Sequence, residues 1–148
     1  MKVAAMLLAD FAEVVNGKLY IIGGGWSISG PVPVPSAIAV KVEVPWSPAD
    51  QKHNLKLELL DSNQRPVSVP MEGGPQPVVV GGDFVAGHSP DLVEGTSLDV
   101  PFAINLPPLP LEPGQKYFWK LTIDGKTDDD WKVAFSMRAA PQPAIAVK

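Results

Sequence analysis

Cysteine is absent from the 148 residues, so a disulfide, a thiolate nucleophile and a cysteine-ligated zinc are all excluded. Charge is scarce: Asp, Glu, Lys and Arg make up 19% of the chain, and 12 basic against 16 acidic side chains leave a formal net charge of −4. Lysine and arginine nowhere cluster, so the electrostatic footprint that a phosphate backbone or an anionic lipid surface requires is missing, and neither nucleic acid nor membrane is expected as a partner. Long hydrophobic runs are also lacking; none reaches the roughly 18 uninterrupted apolar residues of a membrane helix. The opening apolar stretch, with one lysine at Lys2, is interrupted by Asp10 and Glu13 and reads as a strand rather than a secretion signal, which makes a cytoplasmic protein the expectation. Asn-x-Ser/Thr sequons are absent as well, in keeping with that expectation.

What the chain does contain is 45% hydrophobic residues, 17 prolines and 13 glycines. A chain of this length buries roughly 70% of its unfolded surface, enough for a core without a metal or disulfide staple. Helical periodicity is almost absent, whereas alternating apolar and polar runs bounded by Gly, Pro, Asn and Asp recur throughout. Ile38, Val40, Val42 and Val44 alternate with Ala39, Lys41 and Glu43; Leu55, Leu57 and Leu59 alternate with Lys56 and Glu58. Each set reads as the buried face of one strand. Val3 to Asp10 is apolar on both faces, and Asn16-Gly17 is a hairpin turn leading into Leu19 to Gly23. Residues 61 to 95 are the least regular part, with one strand expected at Val78 to Val80 between Gly/Pro-rich loops.

The most specific local pattern is Leu111-x-Pro113-Gly114-x-x-Tyr117, followed by an alternating strand with Tyr117, Trp119, Leu121 and Ile123 on one face, a turn beginning at Asp124-Gly125, and a last strand with Trp131, Val133, Phe135 and Met137 buried. The spacing resembles the tyrosine corner of fibronectin type III and related sandwiches, in which the turn crosses between sheets and the tyrosine hydroxyl bonds nearby backbone. The expected fold is therefore all-β, a Greek-key sandwich of the immunoglobulin or fibronectin III kind with about 8–9 strands and an added N-terminal hairpin. One domain is expected over residues 1–140, with residues 141–148 as a proline-led extended tail. That tail holds a repeat: Ala37-Ile38-Ala39-Val40-Lys41 recurs as Ala144-Ile145-Ala146-Val147-Lys148, each copy after a proline-alternating lead. Either two Ala/Val-rich stretches coincide, or Ala144 to Val147 is a strand mimic able to pair with a sheet edge of its own or another subunit.

Polar residues offer few constellations. Gly87-His88-Ser89-Pro90-Asp91 sets a serine, a histidine and an aspartate side by side, but triads are assembled in space and adjacency of this kind is common in polar loops. Gly25-Trp26-Ser27-Ile28-Ser29-Gly30 misses G-x-S-x-G by one residue, and Gly23-Gly24-Gly25 fits neither a dinucleotide nor a phosphate loop. Asp124, Asp128, Asp129 and Asp130 are weak candidates for calcium, which would need further oxygen ligands from a second loop; the plain alternative is a solvated hairpin turn. No cofactor is otherwise expected. Trp119 and Trp131 fall on apolar faces, whereas Trp26 and Trp46 stand beside turns as candidate ligand contacts together with His88, or else as rim packing.

The segment from Leu7 to Trp26, Leu-Leu-Ala-Asp-Phe-Ala-Glu-Val-Val-Asn-Gly-Lys-Leu-Tyr-Ile-Ile-Gly-Gly-Gly-Trp, resembles the N-terminal signature of a family of uncharacterised bacterial, chiefly actinobacterial, proteins, and Val44-Pro45-Trp46 is a further match. The resemblance implies a bacterial, single-domain, cytoplasmic protein and carries no functional residues with it. The functional expectation is a non-enzymatic β-sandwich that self-associates, as a homo-oligomer or filament, or docks on a protein partner through sheet edges and its tail. A small-ligand or carbohydrate-binding sandwich and a metal-assisted enzyme are the alternatives.

Overall fold

The computed structural model describes residues 1–46, 50–87 and 90–141. Eleven strands and no helix are found among them: β1 (Lys2–Val15), β2 (Lys18–Gly24), β3 (Ile28–Ser29), β4 (Ser36–Val44), β5 (Gln51–Asp61), β6 (Ser68–Met71), β7 (Gly74–Pro77), β8 (Val79–Ala86), β9 (Leu98–Leu106), β10 (Lys116–Ile123) and β11 (Lys132–Met137). A four-stranded sheet runs β2-β1-β4-β9 and packs against a five-stranded sheet ordered β3-β11-β10-β5-β8, with β6 and β7 as a separate ribbon. The chain is an all-β sandwich.

Period-two alternation builds its core. Leu8, Ile38, Val40, Val42, Leu57, Leu59, Leu98, Trp119 and Leu121 are almost fully buried between the sheets. Removing this much apolar side chain from water, at roughly 1.5–3 kcal/mol for each large residue, is the main stabilising contribution. β4 lies between β1 and β9 in antiparallel register, Ile38 opposite both Leu8 and Ile104, so that the core-facing residues of three strands form continuous rows.

The opposite face of β4 explains its alanines. Ala37 and Ala39 are as buried as the core residues, clustered with Ala9 and Ala12 under Leu7 and Leu19. β1 runs past the end of β4, continuing five residues beyond Asp10, and with β2 forms a long hairpin that comes close to β9. Beyond Ala9 the strand has lost its β4 neighbour, and the Asn105 side chain of β9 stands in for it. Ala12 N–H donates to Asn105 Oδ1 at 3.3 Å, and Asn105 Nδ2 donates to Ala12 C=O at 2.7 Å. Small side chains on β4 leave the room for this close approach. At the hairpin tip Asn16 and Gly17 both have positive φ, 51° and 73°, the type I′ geometry that matches strand twist.

β3, β6 and β7 stand where no strand was expected, and their origin is physical. β3 is two residues long and exists through parallel pairing with Ser136 and Met137, more than a hundred positions away. Residues 68–77 form the β6–β7 ribbon, despite Pro70, Pro75 and Pro77, because a two-stranded ribbon has free edges on both sides where a missing N–H costs nothing. The strand expected at Val78 to Val80 starts at Val79 and extends to Ala86, where β8 pairs with β5. At the other end of the sheet the Tyr117 hydroxyl accepts the Glu112 N–H at 3.0 Å, Leu111 is buried, and Gly114 N–H donates to Met137 C=O at 3.0 Å, which ties the turn to β11.

Candidate functional site

Four groups of side chains carry enough chemistry or exposed surface to be weighed as a site. The first is a histidine–carboxylate pair that the sequence patterns left unremarked. His53 continues the buried face of Leu55, Leu57 and Leu59 on β5, and parity along that strand was the available signal. Asp124 and Gly125, with φ of 52° and 75°, form the tight turn after β10 and swing the Asp124 carboxylate back to β5. Oδ2 lies 2.7 Å from His53 Nδ1 and Oδ1 accepts the Asn54 N–H at 2.8 Å. A carboxylate only accepts, so Nδ1 is the donor. The His53 hydrogen bond first, and the Asn54 N–H second, hold the Asp124 carboxyl below its usual value. His53 Nε2, however, is buried with no partner among the described residues, and the ring stacks on Phe84 at 5.2 Å between centroids. The pair ties the β10 turn to β5.

The aspartates make a second group. Both oxygens of Asp124 are engaged as described, and Asp128 Oδ1 accepts the Asp130 N–H at 3.2 Å within its own turn. Among the described residues no three His, Asp or Glu side chains converge as a metal would need. Asp124 is thus not brought together with Asp128, Asp129 and Asp130.

The tryptophans form the third. Trp26 is half-buried against the core, edge-on to Phe135 at 6.2 Å, with its Nε1 enclosed. It lines a cavity with about 30 Å³ of free space between Leu8, Leu109 and Met137, room for a solvent molecule or two and far from that of a sugar ring. Trp46 also packs against the core. An open groove of about 510 Å³ lies elsewhere, on the outer face of β10 and β11, where Lys132 Nζ sits 5.5 Å from the Phe118 ring centre beside Lys116, Asp129 and Asp130. His88 and the tail residues Ala144, Ile145, Ala146 and Val147 lie outside the described residues.

The fourth group is the hairpin itself. Phe11, Val14, Val15, Tyr20, Ile21 and Ile22 all expose between 39% and 64% of their surface. Register places Phe11 opposite Ile22 and Glu13 opposite Tyr20, so one side of the hairpin is a nearly continuous apolar strip. β2 stands at the end of its sheet order with no strand on its outer side among the described residues. Scattered apolar residues on a surface need no explanation, but Phe11, Val15, Tyr20 and Ile22 share one face of the hairpin and make a patch of the kind that marks an interaction site, with Val14 and Ile21 exposed on the other face.

Residues 4–135 match the profile of a protein family. The chain belongs to DUF6941, a family of unknown function. The matched span takes in the hairpin, both sheets and β11 as far as Phe135, so the sandwich and its N-terminal extension are together the DUF6941 unit. No curated protein and no solved structure matches the chain.

Proposed function

We propose that this DUF6941 protein is a non-enzymatic interaction module whose docking element is the β1–β2 hairpin. The observation that carries the reading is the apolar strip of Phe11, Tyr20 and Ile22 on one face of an open sheet edge, with Ile21 exposed on the other face. Polar contacts elsewhere bind parts of the fold to one another: Asp124 with His53, Asn105 with Ala12, Lys52 with Asp83 at 3.1 Å. Proteins that expose an unpaired strand of this composition use it for strand addition, in which main-chain bonds give affinity and alternate side chains give specificity. The tail repeat at Ala144 to Lys148 supplies a second strand-like segment of the same chain and belongs to the same reading.

The test is a photo-activated cross-linking residue placed at Ile22 and, as a control, at the outward-facing Ala134 of β11, in cells producing the full chain. Discrete adducts from Ile22 and none from Ala134 support the hairpin as the docking element. No adduct from either position, or equal adducts from both, would contradict it.

A further inference from the structure

We infer that the hairpin's occupant is a second copy of this chain, joined by antiparallel pairing of β2 with β2 about a twofold axis at Ile21. The inference rests on the reading of the hairpin as the docking element and names its partner.

The edges of the molecule differ in a way that selects β2. Strand edges invite pairing, and proteins blunt those they do not use with prolines, charges or brevity. β9 carries Pro101 in mid-strand and Asp99 bound to Lys41 at 3.3 Å. β8 carries two glycines and Asp83 paired with Lys52; β3 is two residues long; the β6–β7 ribbon holds Pro70, Pro75 and Pro77. β2 has no proline, and its sole charge is Lys18 at its first position.

β2 is also complementary to itself. Its seven residues have Ile21 at the centre, so full overlap with an inverted copy sets Ile21 against Ile21, Tyr20 against Ile22, Leu19 against Gly23 and Lys18 against Gly24. Tyrosine opposite isoleucine is a favourable cross-strand pair, and the two glycines leave space for the longer side chains. Because Phe11 faces Ile22 and Glu13 faces Tyr20 within each hairpin, pairing extends the apolar strip from one copy's Phe11 through Ile22 to Tyr20 of the second. Charges agree with this register. Lys18 comes beside Gly24 of the second copy, so the two lysines stand at opposite ends of the interface. A register centred on Lys18 would set lysine against lysine.

Pairing supplies main-chain bonds along the whole of both β2 strands and joins Phe11, Tyr20 and Ile22 of the two copies into one apolar face across the twofold axis. A twofold contact of this type is closed, and two four-stranded sheets become one of eight strands.

Because the chain has no cysteine, single-cysteine variants report the register directly. In the paired state residue 21 lies opposite its own copy, while residue 18 lies six positions from its mate, about 20 Å along the strand. Full-length Ile21→Cys is expected to form a disulfide-linked dimer under mild oxidation, and Lys18→Cys is not. A chain ending at Ala140 is expected to keep the dimer mass in light scattering. Cross-linking of both variants alike, or of neither, overturns the inference, as does conversion of the truncated chain to a monomer, which would assign the occupant to the tail. If the purified full chain is monomeric while the Ile22 photo-adduct in cells is heavier than two chains, the docking reading stands and the self-pairing fails.

Discussion

At one end of the four-stranded sheet, β9 keeps Pro101 in mid-strand, pairs Asp99 with Lys41 and tucks Leu98 and Leu106 into the core. At the other end, β2 buries only part of Leu19 and leaves Tyr20 and Ile22 half to two-thirds exposed. Both strands are sheet edges, and both are rich in residues of high β propensity. The difference lies in whether the outer row of peptide groups is made unattractive to another strand. A sheet finished on one side and left open on the other is organised for addition at the open side.

That contrast separates residues that hold the sandwich together from residues that serve its surface, and substitutions can sharpen or break it. The largest effect is expected in the core. Trp119→Ala removes a side chain that is 2% exposed and should cost about 3–5 kcal/mol, read as a lower midpoint in chemical denaturation. For a domain of ordinary stability this consumes a large part of the total.

Asn105→Ala comes next, since it leaves the Ala12 N–H and C=O without their partner in a partly buried setting. A loss of about 1–3 kcal/mol is expected, with faster amide exchange concentrated in residues 11–22. Exchange spread evenly over both sheets would show that the hairpin is an integral part of the sandwich rather than an extension pinned at one point. Asp124→Asn should cost about 1 kcal/mol near neutral pH, a modest figure because the carboxylate is partly solvated. Its pH dependence has a definite sign. The folded carboxyl is held below the ordinary value of 3.8, so its stabilisation is present above that value and is lost as the pH falls through the lowered one. Denaturation curves of wild type and variant should therefore converge in acid. The smallest effect on folding is expected at the open edge: Ile22→Lys should change the stability of the isolated chain by no more than about 0.5 kcal/mol, because that side chain is 64% exposed.

The same division runs through what could be read from the chain beforehand. Alternation placed Ile38 to Val44, Leu55 to Leu59 and Tyr117 to Ile123 on their buried faces, because a strand between a core and solvent repeats every two residues whatever lies elsewhere. The Asn16-Gly17 turn was legible because positive φ at both positions favours those two residues. Features set by distant partners left no local trace. The Asn105 bonds to Ala12 span 93 positions, and β3 depends wholly on β11. Burial of Ala37 and Ala39 follows from the hairpin lying close to them, although an alternation of Ala with Ile and Val suggested one buried face only. The β6–β7 ribbon was obscured by its prolines, which mark loops more often than strands. Of the candidate site, the doubly apolar character of β1 was visible from the start. The exposure of β2 was not, since Leu19 to Ile22 reads equally well as a buried strand until its neighbours are known.

The central claim is that the edge left open is an interface, and its most direct test is molar mass by light scattering behind size exclusion, over a concentration series, for the full chain and for Tyr20→Lys/Ile22→Lys. The account predicts about twice 15.8 kDa for the full chain and 15.8 kDa for the variant, with unchanged thermal unfolding of the sandwich. A mass of 15.8 kDa for both at every concentration, or a dimer that survives the two lysines, would contradict it.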